Sequence, residues 1–343
     1  MKFLPNSQIS LVKCFNPMKK YIVYTLLFSF SPLLFSCNKE AENRWNVEIK
    51  TTEPVKITDI SAAFYNDKIP FQNFKKDFGF FLAPQVPDAT YEKKRSDAIE
   101  KRVYKDALNK NNLANLEKQL ATLFAHIKYY FPEFQKPQVY VFSSATELYE
   151  EPILYVPNEG VLFIDLSAFL GEKSEFYEGI DVYMRKEMTP QNILPKVAET
   201  IAADYVPATP DHNKFLDKII NFGKLMILQD AFLPETMDQF KMHYSKDQQS
   251  WAISNEENIW NYFVENDLLF SDDNRLDERF LAKAPFSKFY TEIDPKSSPR
   301  VGAFIGWQIC RQYLEKNPEV TLQKFLHLPA TEIFNNSNYK PKN

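Results

Sequence analysis

The segment Val197-Ala198-Glu199-Thr200-Ile201-Ala202-Ala203-Asp204-Tyr205 has the spacing of a catalytic helix. A zinc hydrolase carries His-Glu-x-x-His at such a place, with both imidazoles on one helical face at i and i+4. The two nitrogens and a later carboxylate hold the metal, and the glutamate takes a proton from the metal-bound water. Here Glu199 is kept, and Ala198 and Ala202 stand where the imidazoles would be. Methyl groups cannot coordinate zinc. Glu199 is therefore expected to be a helix-face carboxylate with a solvent or hydrogen-bond partner, and no cofactor is expected. The histidines His126, His212, His243 and His327 lack ligand spacing, and His212 and His243, beside loop-like segments, are read as solvated. Ser143 and Ser144 follow a strand without the Gly-x-Ser-x-Gly elbow of a hydrolase nucleophile, so they are read as a turn or cap. Asp272-Asp273-Asn274 lacks the glycine and terminal glutamate of a calcium loop and reads as a capped, solvated turn.

The second residue with chemistry in prospect is Cys37. Lys19 and Lys20 form a basic patch, Tyr21 to Phe35 carry no charge, and Leu34-Phe35-Ser36-Cys37 closes the run. The run is shorter than the roughly 20 residues a membrane-spanning helix needs, and its leucine and small Ser36 complete a lipobox. Residues 1–36 are thus expected to be a signal peptide, with 1–17 an upstream extension if translation starts at Met18. Cleavage would leave Cys37 lipidated and held in a lipid bilayer, each buried methylene adding about 0.8 kcal/mol. Asn38, in place of an aspartate, favours the outer membrane over the inner.

Removal of the precursor segment takes Cys14 with it, and lipid occupies Cys37, so Cys310 is the one free thiol and is read as a buried hydrophobe. A net charge of −4 and a pI near 5.8 argue against nucleic acid as a partner. With 7 glycines and 22 prolines the loops are expected to be stiff. Most of the abundant aromatic rings belong in a core, with some left for a docking surface.

These residues need a scaffold. Residues 37–55 read as the lipidated cysteine and a polar tether, and 56–343 as one α+β domain with a small β-sheet and a predominantly helical body. Helical spacing runs from Tyr91 to Tyr130 and is broken at Asn109-Asn112 into two helices. Strands are expected at Gln138–Phe142 and Val161–Asp165, the latter after the turn Pro157–Gly160. Further helices are expected at Ile193–Tyr205, Lys214–Phe232, Asn255–Glu265, Pro299–Lys316 and Leu322–Leu326. Gly302 and Gly306, at i and i+4, mark tight helix packing within the body.

Along nearly the whole mature region the chain resembles the gliding-motility lipoproteins of Bacteroidota, the GldB family. The likeness is carried by the lipobox and by Gly160-Val-Leu-Phe-Ile-Asp-Leu-Ser-Ala-Phe-Leu-Gly171, Asn221-Phe-Gly-Lys224 and Asn258-Ile-Trp-Asn-Tyr-Phe-Val-Glu-Asn266. Ser298-Pro-Arg-Val-Gly-Ala-Phe-Ile-Gly306 and Asn317-Pro318 complete it. The family is in turn similar to gluzincin-like metallopeptidases, whose third zinc ligand is a glutamate on the following helix. That resemblance implies a degenerate peptidase fold in which Asn221 replaces the glutamate, so all three ligand positions are lost. It also implies a non-catalytic cell-envelope lipoprotein required for gliding, with envelope proteins of the motility and secretion machinery as partners. Two alternatives remain open at this point: a membrane-anchored hydrolase with an atypical site, and a passive structural or surface-binding lipoprotein.

Overall fold

Alternation of branched and aromatic residues organises the sheet. The computed structural model of the protein describes residues 43–49, 52–208 and 213–341. Cys37, the signal segment and His212 lie outside the described residues. Strands β1 (Ile57–Asp59), β2 (Gln138–Phe142), β3 (Ile153–Val156) and β4 (Val161–Asp165) form one mixed sheet in the order β1-β2-β4-β3. β1 pairs with β2 and β2 with β4 in parallel, while β3 is antiparallel to β4 and forms an edge. The β3–β4 connection turns at Gly160, whose φ of +63° a side chain would disfavour.

Side chains of successive residues leave a strand on opposite faces. Val139, Val141, Leu162 and Ile164 accordingly enter the main core. Tyr140 and Phe163, paired across the ladder, stack on the other face with centroids 5.3 Å apart. There they join a smaller cluster around Ile60, Phe71, Phe74 and Phe142. The α+β architecture expected from the sequence is the one observed.

The region from Tyr91 to Tyr130 contains three helices instead of two. The first, Asp88–Ser96, ends where Asp97 caps α1 (Ala98–Lys110), its Oδ1 accepting from Ile99 N at 2.7 Å and Glu100 N at 3.0 Å. Asn112 caps α2 (Leu113–Tyr130) in the same manner. α3 (Ile193–Ala203) follows a short turn begun by Pro190, and Pro195 sits in its first turn, where the missing N–H costs little. α3 packs on α4 (Phe215–Phe232) and beside β3. α4 is largely buried, with Asn221 its exposed residue and Asp217, Lys218, Phe222 and Leu225 partly covered. It crosses α5 (Val301–Lys316) so closely that Cys310 and Trp307 are fully buried at the contact.

One carboxylate lies inside this helical core. Asp230 accepts from Lys241 Nζ at 2.8 Å, Trp307 Nε1 at 2.9 Å and Arg311 Nε at 2.8 Å. A buried charge is tolerated when paired and hydrogen-bonded in this way. No helix among the described residues is long and apolar enough to cross a membrane.

Part of the expected tether belongs to the body. Arg44 donates to Leu314 O at 2.7 Å and Val320 O at 2.9 Å, and Trp45 and Val55 are buried in the main core. These contacts were not legible because the segment lacks any periodicity and is held by isolated side chains.

Candidate functional site

Lys196 and Glu199 are three residues apart on α3, so they share one face of the helix. Glu199 Oε2 lies 2.8 Å from His243 Nε2, and its Oε1 is 3.7 Å from Arg300 Nη2. His243 follows the short helix Asp238–Lys241, and Arg300 is the residue that opens α5. Both hold φ near +55°, a left-handed conformation uncommon outside glycine. On the same side of α3, Lys196 Nζ is 2.7 Å from Glu187 Oε2, which Lys283 approaches to 3.8 Å.

The expectation that His243 is solvated is overturned: its side chain is 3% exposed and engaged with Glu199. The left-handed backbone after a four-residue helix folds the imidazole inward, which loop composition does not reveal. Burial pushes the His243 imidazole below its ordinary pKa, so near neutrality it is uncharged and donates through Nε2–H. Its Nδ1 is buried without a hydrogen-bond partner among the described residues. Burial opposes ionisation of Glu199, yet His243 and the cations Arg300 and Lys283 outweigh it and hold the carboxyl well below the usual range. Lys196 is likewise depressed by burial, with Glu187 opposing that shift.

The cluster thus sets three cations, Lys196, Lys283 and Arg300, against two carboxylates, Glu187 and Glu199. A cavity of about 30 Å³ opens among them, lined by Glu187, His243, Lys283 and Arg300 together with Tyr183 and Gln248. A carboxylate committed to a donor and strongly favoured in its charged form is a weak proton acceptor.

Ala198 and Ala202 are fully buried, their methyl groups packed in the main core. Asn221 is elsewhere, exposed on α4 at a separate cavity of about 370 Å³ bordered by Ala203, Val206 and Phe222. Among the described residues no three His, Cys, Asp or Glu side chains gather in a way that could hold a metal ion. Ser144 caps locally as read, donating to Asp165 Oδ2 and accepting from Leu148 N at 3.0 Å. Asp273 accepts from Arg275 N at 2.9 Å in its turn. A cavity of about 840 Å³, bordered by Arg102, Lys105 and Lys173, shares no residue with the Glu199 cluster.

Sequence reasoning found Glu199 and missed Glu187, Lys196, His243, Lys283 and Arg300. Only Lys196, three residues before Glu199, carried a local signal; the others come from distant segments joined by the fold.

Comparisons with curated proteins and with solved structures returned no match. A family model described as gliding motility protein GldB matches residues 42–341, which takes in the sheet, the Glu199 cluster and the α4–α5 pair. The chain therefore belongs to the GldB family of gliding motility lipoproteins, membrane-anchored proteins of the cell envelope.

Proposed function

We propose that this protein serves gliding as a non-catalytic, protein-binding component of the envelope, its body a peptidase-like fold whose cleft binds without cutting. One observation carries the reading. The glutamate of the Ala198-Glu199-x-x-Ala202 helix is tied to His243 at 2.8 Å, and buried methyl groups occupy the flanking positions. A glutamate so engaged, with no imidazole at either side, has no metal-bound water to deprotonate, and the oxygen bonded to His243 is not available as a base.

The same helix lies beside the edge strand β3, where Leu154 is 56% exposed. Backbone groups on a sheet edge bind an extended segment of another protein by adding a strand, and this needs no metal. An envelope protein of the motility and secretion machinery is the proposed occupant. Placement at the outer membrane, facing the periplasm and anchored through Cys37, belongs to the same proposal and rests on Asn38.

The test is complementation of a deletion strain with Glu199→Gln, which keeps the shape of the side chain. Normal gliding at normal protein level is expected. Loss of gliding with the protein folded and present would overturn the non-catalytic reading. A photo-crosslinking residue at Leu154 is expected to capture an envelope protein in cells, and crosslinking no better than at a site on the opposite face would remove the β3 edge from the proposal.

A further inference from the structure

Among the described residues, Arg300 is the buried cation without a side-chain hydrogen bond. Its side chain is 7% exposed, yet its nearest anion is Glu199 at 3.7 Å, and its other partner is the Phe222 ring with the guanidinium 5.6 Å from the centroid. Its guanidinium makes no side-chain hydrogen bond among the described residues, and its nitrogens keep some contact with solvent. His243 adds a second unmet demand, since its buried Nδ1 has no partner among the described residues. Lys283 adds a spare charge, 45% exposed and no closer than 3.8 Å to Glu187. All three residues line the same cavity.

We infer that this cavity is a carboxylate-binding site formed by Arg300 and Lys283 with His243 at its wall. Building on the protein-binding reading above, it receives an acidic side chain or the C-terminal carboxylate of the bound partner. Charge selects the class of ligand, because three cations face two carboxylates and leave one positive charge uncompensated. Size selects within the class. The cavity of about 30 Å³ is roughly twice the 10–15 Å³ that one water requires. It holds the two oxygens of a carboxylate and not the four of a phosphate. The guanidinium fork suits a planar two-oxygen acceptor. His243 Nδ1, an acceptor when Nε2 carries the proton, bounds the site without bonding the ligand.

The test uses the purified mature chain in detergent and ligand-observed saturation-transfer NMR with propionate as the probe. Propionamide, equal in shape and uncharged, controls for the micelle, and inorganic phosphate is the competitor. Saturable transfer to propionate, absent for propionamide and unaffected by phosphate, is expected. Lys283→Gln removes a partly exposed charge that makes no hydrogen bond, so the fold is retained; weakening of about fivefold is expected, the size of one such pair. Arg300→Lys is expected to weaken binding by about tenfold or more, through loss of the two-pronged contact. Peptides ending in a free acid or an amide, with internal Glu or Gln, then separate the two sources of carboxylate. No saturable propionate signal, equal binding of propionamide, tighter binding of phosphate, or unchanged affinity in Lys283→Gln would each overturn the inference. Partner capture at Leu154 reads the protein-binding proposal separately. Capture that persists without propionate binding sinks this inference alone.

Discussion

Replacing Gly306 with alanine should destabilise the protein substantially, and the size follows from one distance. A Cβ built on Gly306 would lie 1.8 Å from the Ile219 carbonyl oxygen, whereas ordinary contact begins near 3.4 Å, so α4 and α5 must part by about 1.6 Å. The obstacle is backbone, which cannot swing aside as a side chain does. A gap of 0.5–1 Å already forfeits roughly a quarter to a half of the attraction at a contact. Overpacking costs about 1–3 kcal/mol and sometimes more, while alanine returns about 1 kcal/mol of helix propensity over glycine. With backbone against backbone the upper end applies, for a net loss of about 2 kcal/mol or more. At about 2–4 °C per kcal/mol, that is a fall in Tm of about 4 °C or more. The internal control is Gly79→Ala, where a Cβ meets only Lys75 Cγ at 4.0 Å. That change should be neutral or stabilising by up to about 1 kcal/mol. Urea unfolding and thermal melts followed by circular dichroism measure both. Equal stability of Gly306→Ala and wild type would refute the close α4–α5 packing.

Three further outcomes follow from the buried charges. Lys196→Met leaves Glu187, in a site where the pair is only 9% and 11% exposed, with Lys283 alone at 3.8 Å, so a loss of about 3 kcal/mol is expected, the lower end for a broken buried pair. The double variant Lys196→Met/Glu187→Met should recover most of it; a double variant no better than the single one would contradict the pairing. Acid should weaken the wild type early. His243 is depressed in the fold, so the unfolded chain, with an ordinary imidazole pKa of about 6.5, binds more protons below that pH. Its contribution is complete above about pH 6.5 and is lost as pH falls through the folded value, with Glu199 following below its unfolded pKa of about 4.3. Melts from about pH 7.5 to about pH 5 should therefore slope in wild type and flatten in His243→Asn, whose asparagine tolerates the left-handed backbone. Parallel curves for the two proteins would show that another group titrates. Asp230→Asn should lower Tm strongly, because Lys241 and Arg311 lose their shared anion; an unchanged melt would mean the cluster is dispensable.

What could be read in advance was what short-range pattern encodes. Strands β2 and β4 were legible because branched and aromatic residues alternate there, and the long helices because their apolar faces recur at helical spacing. β3 escaped notice, being four residues long and preceded by Glu150, Glu151 and Pro152. The extra helix boundary at Asp97 had a signal, an acidic cap with Glu100 three residues later, which the continuous charge pattern around it obscured. Ser245 and Gln248 form a full capping box for helix Lys246–Ser254, another sign that was present and passed over. The candidate site divides in the same way. Glu199 stood out by its motif, and Gly306 by its spacing. His243, Lys283 and Arg300 meet Glu199 only because α4, α5 and the connecting loops bring segments far apart in the chain to one face of α3.

In the proposed reading Glu199 is committed to His243 and not to a metal-bound water. The most direct test of that reading is the zinc content of the purified mature chain, measured by mass spectrometry without chelators and again after soaking in zinc. No stoichiometric metal is expected in either sample, and the same result is expected for Glu199→Gln. Stoichiometric zinc in the wild type, in either sample, would contradict that reading and favour a hydrolase site.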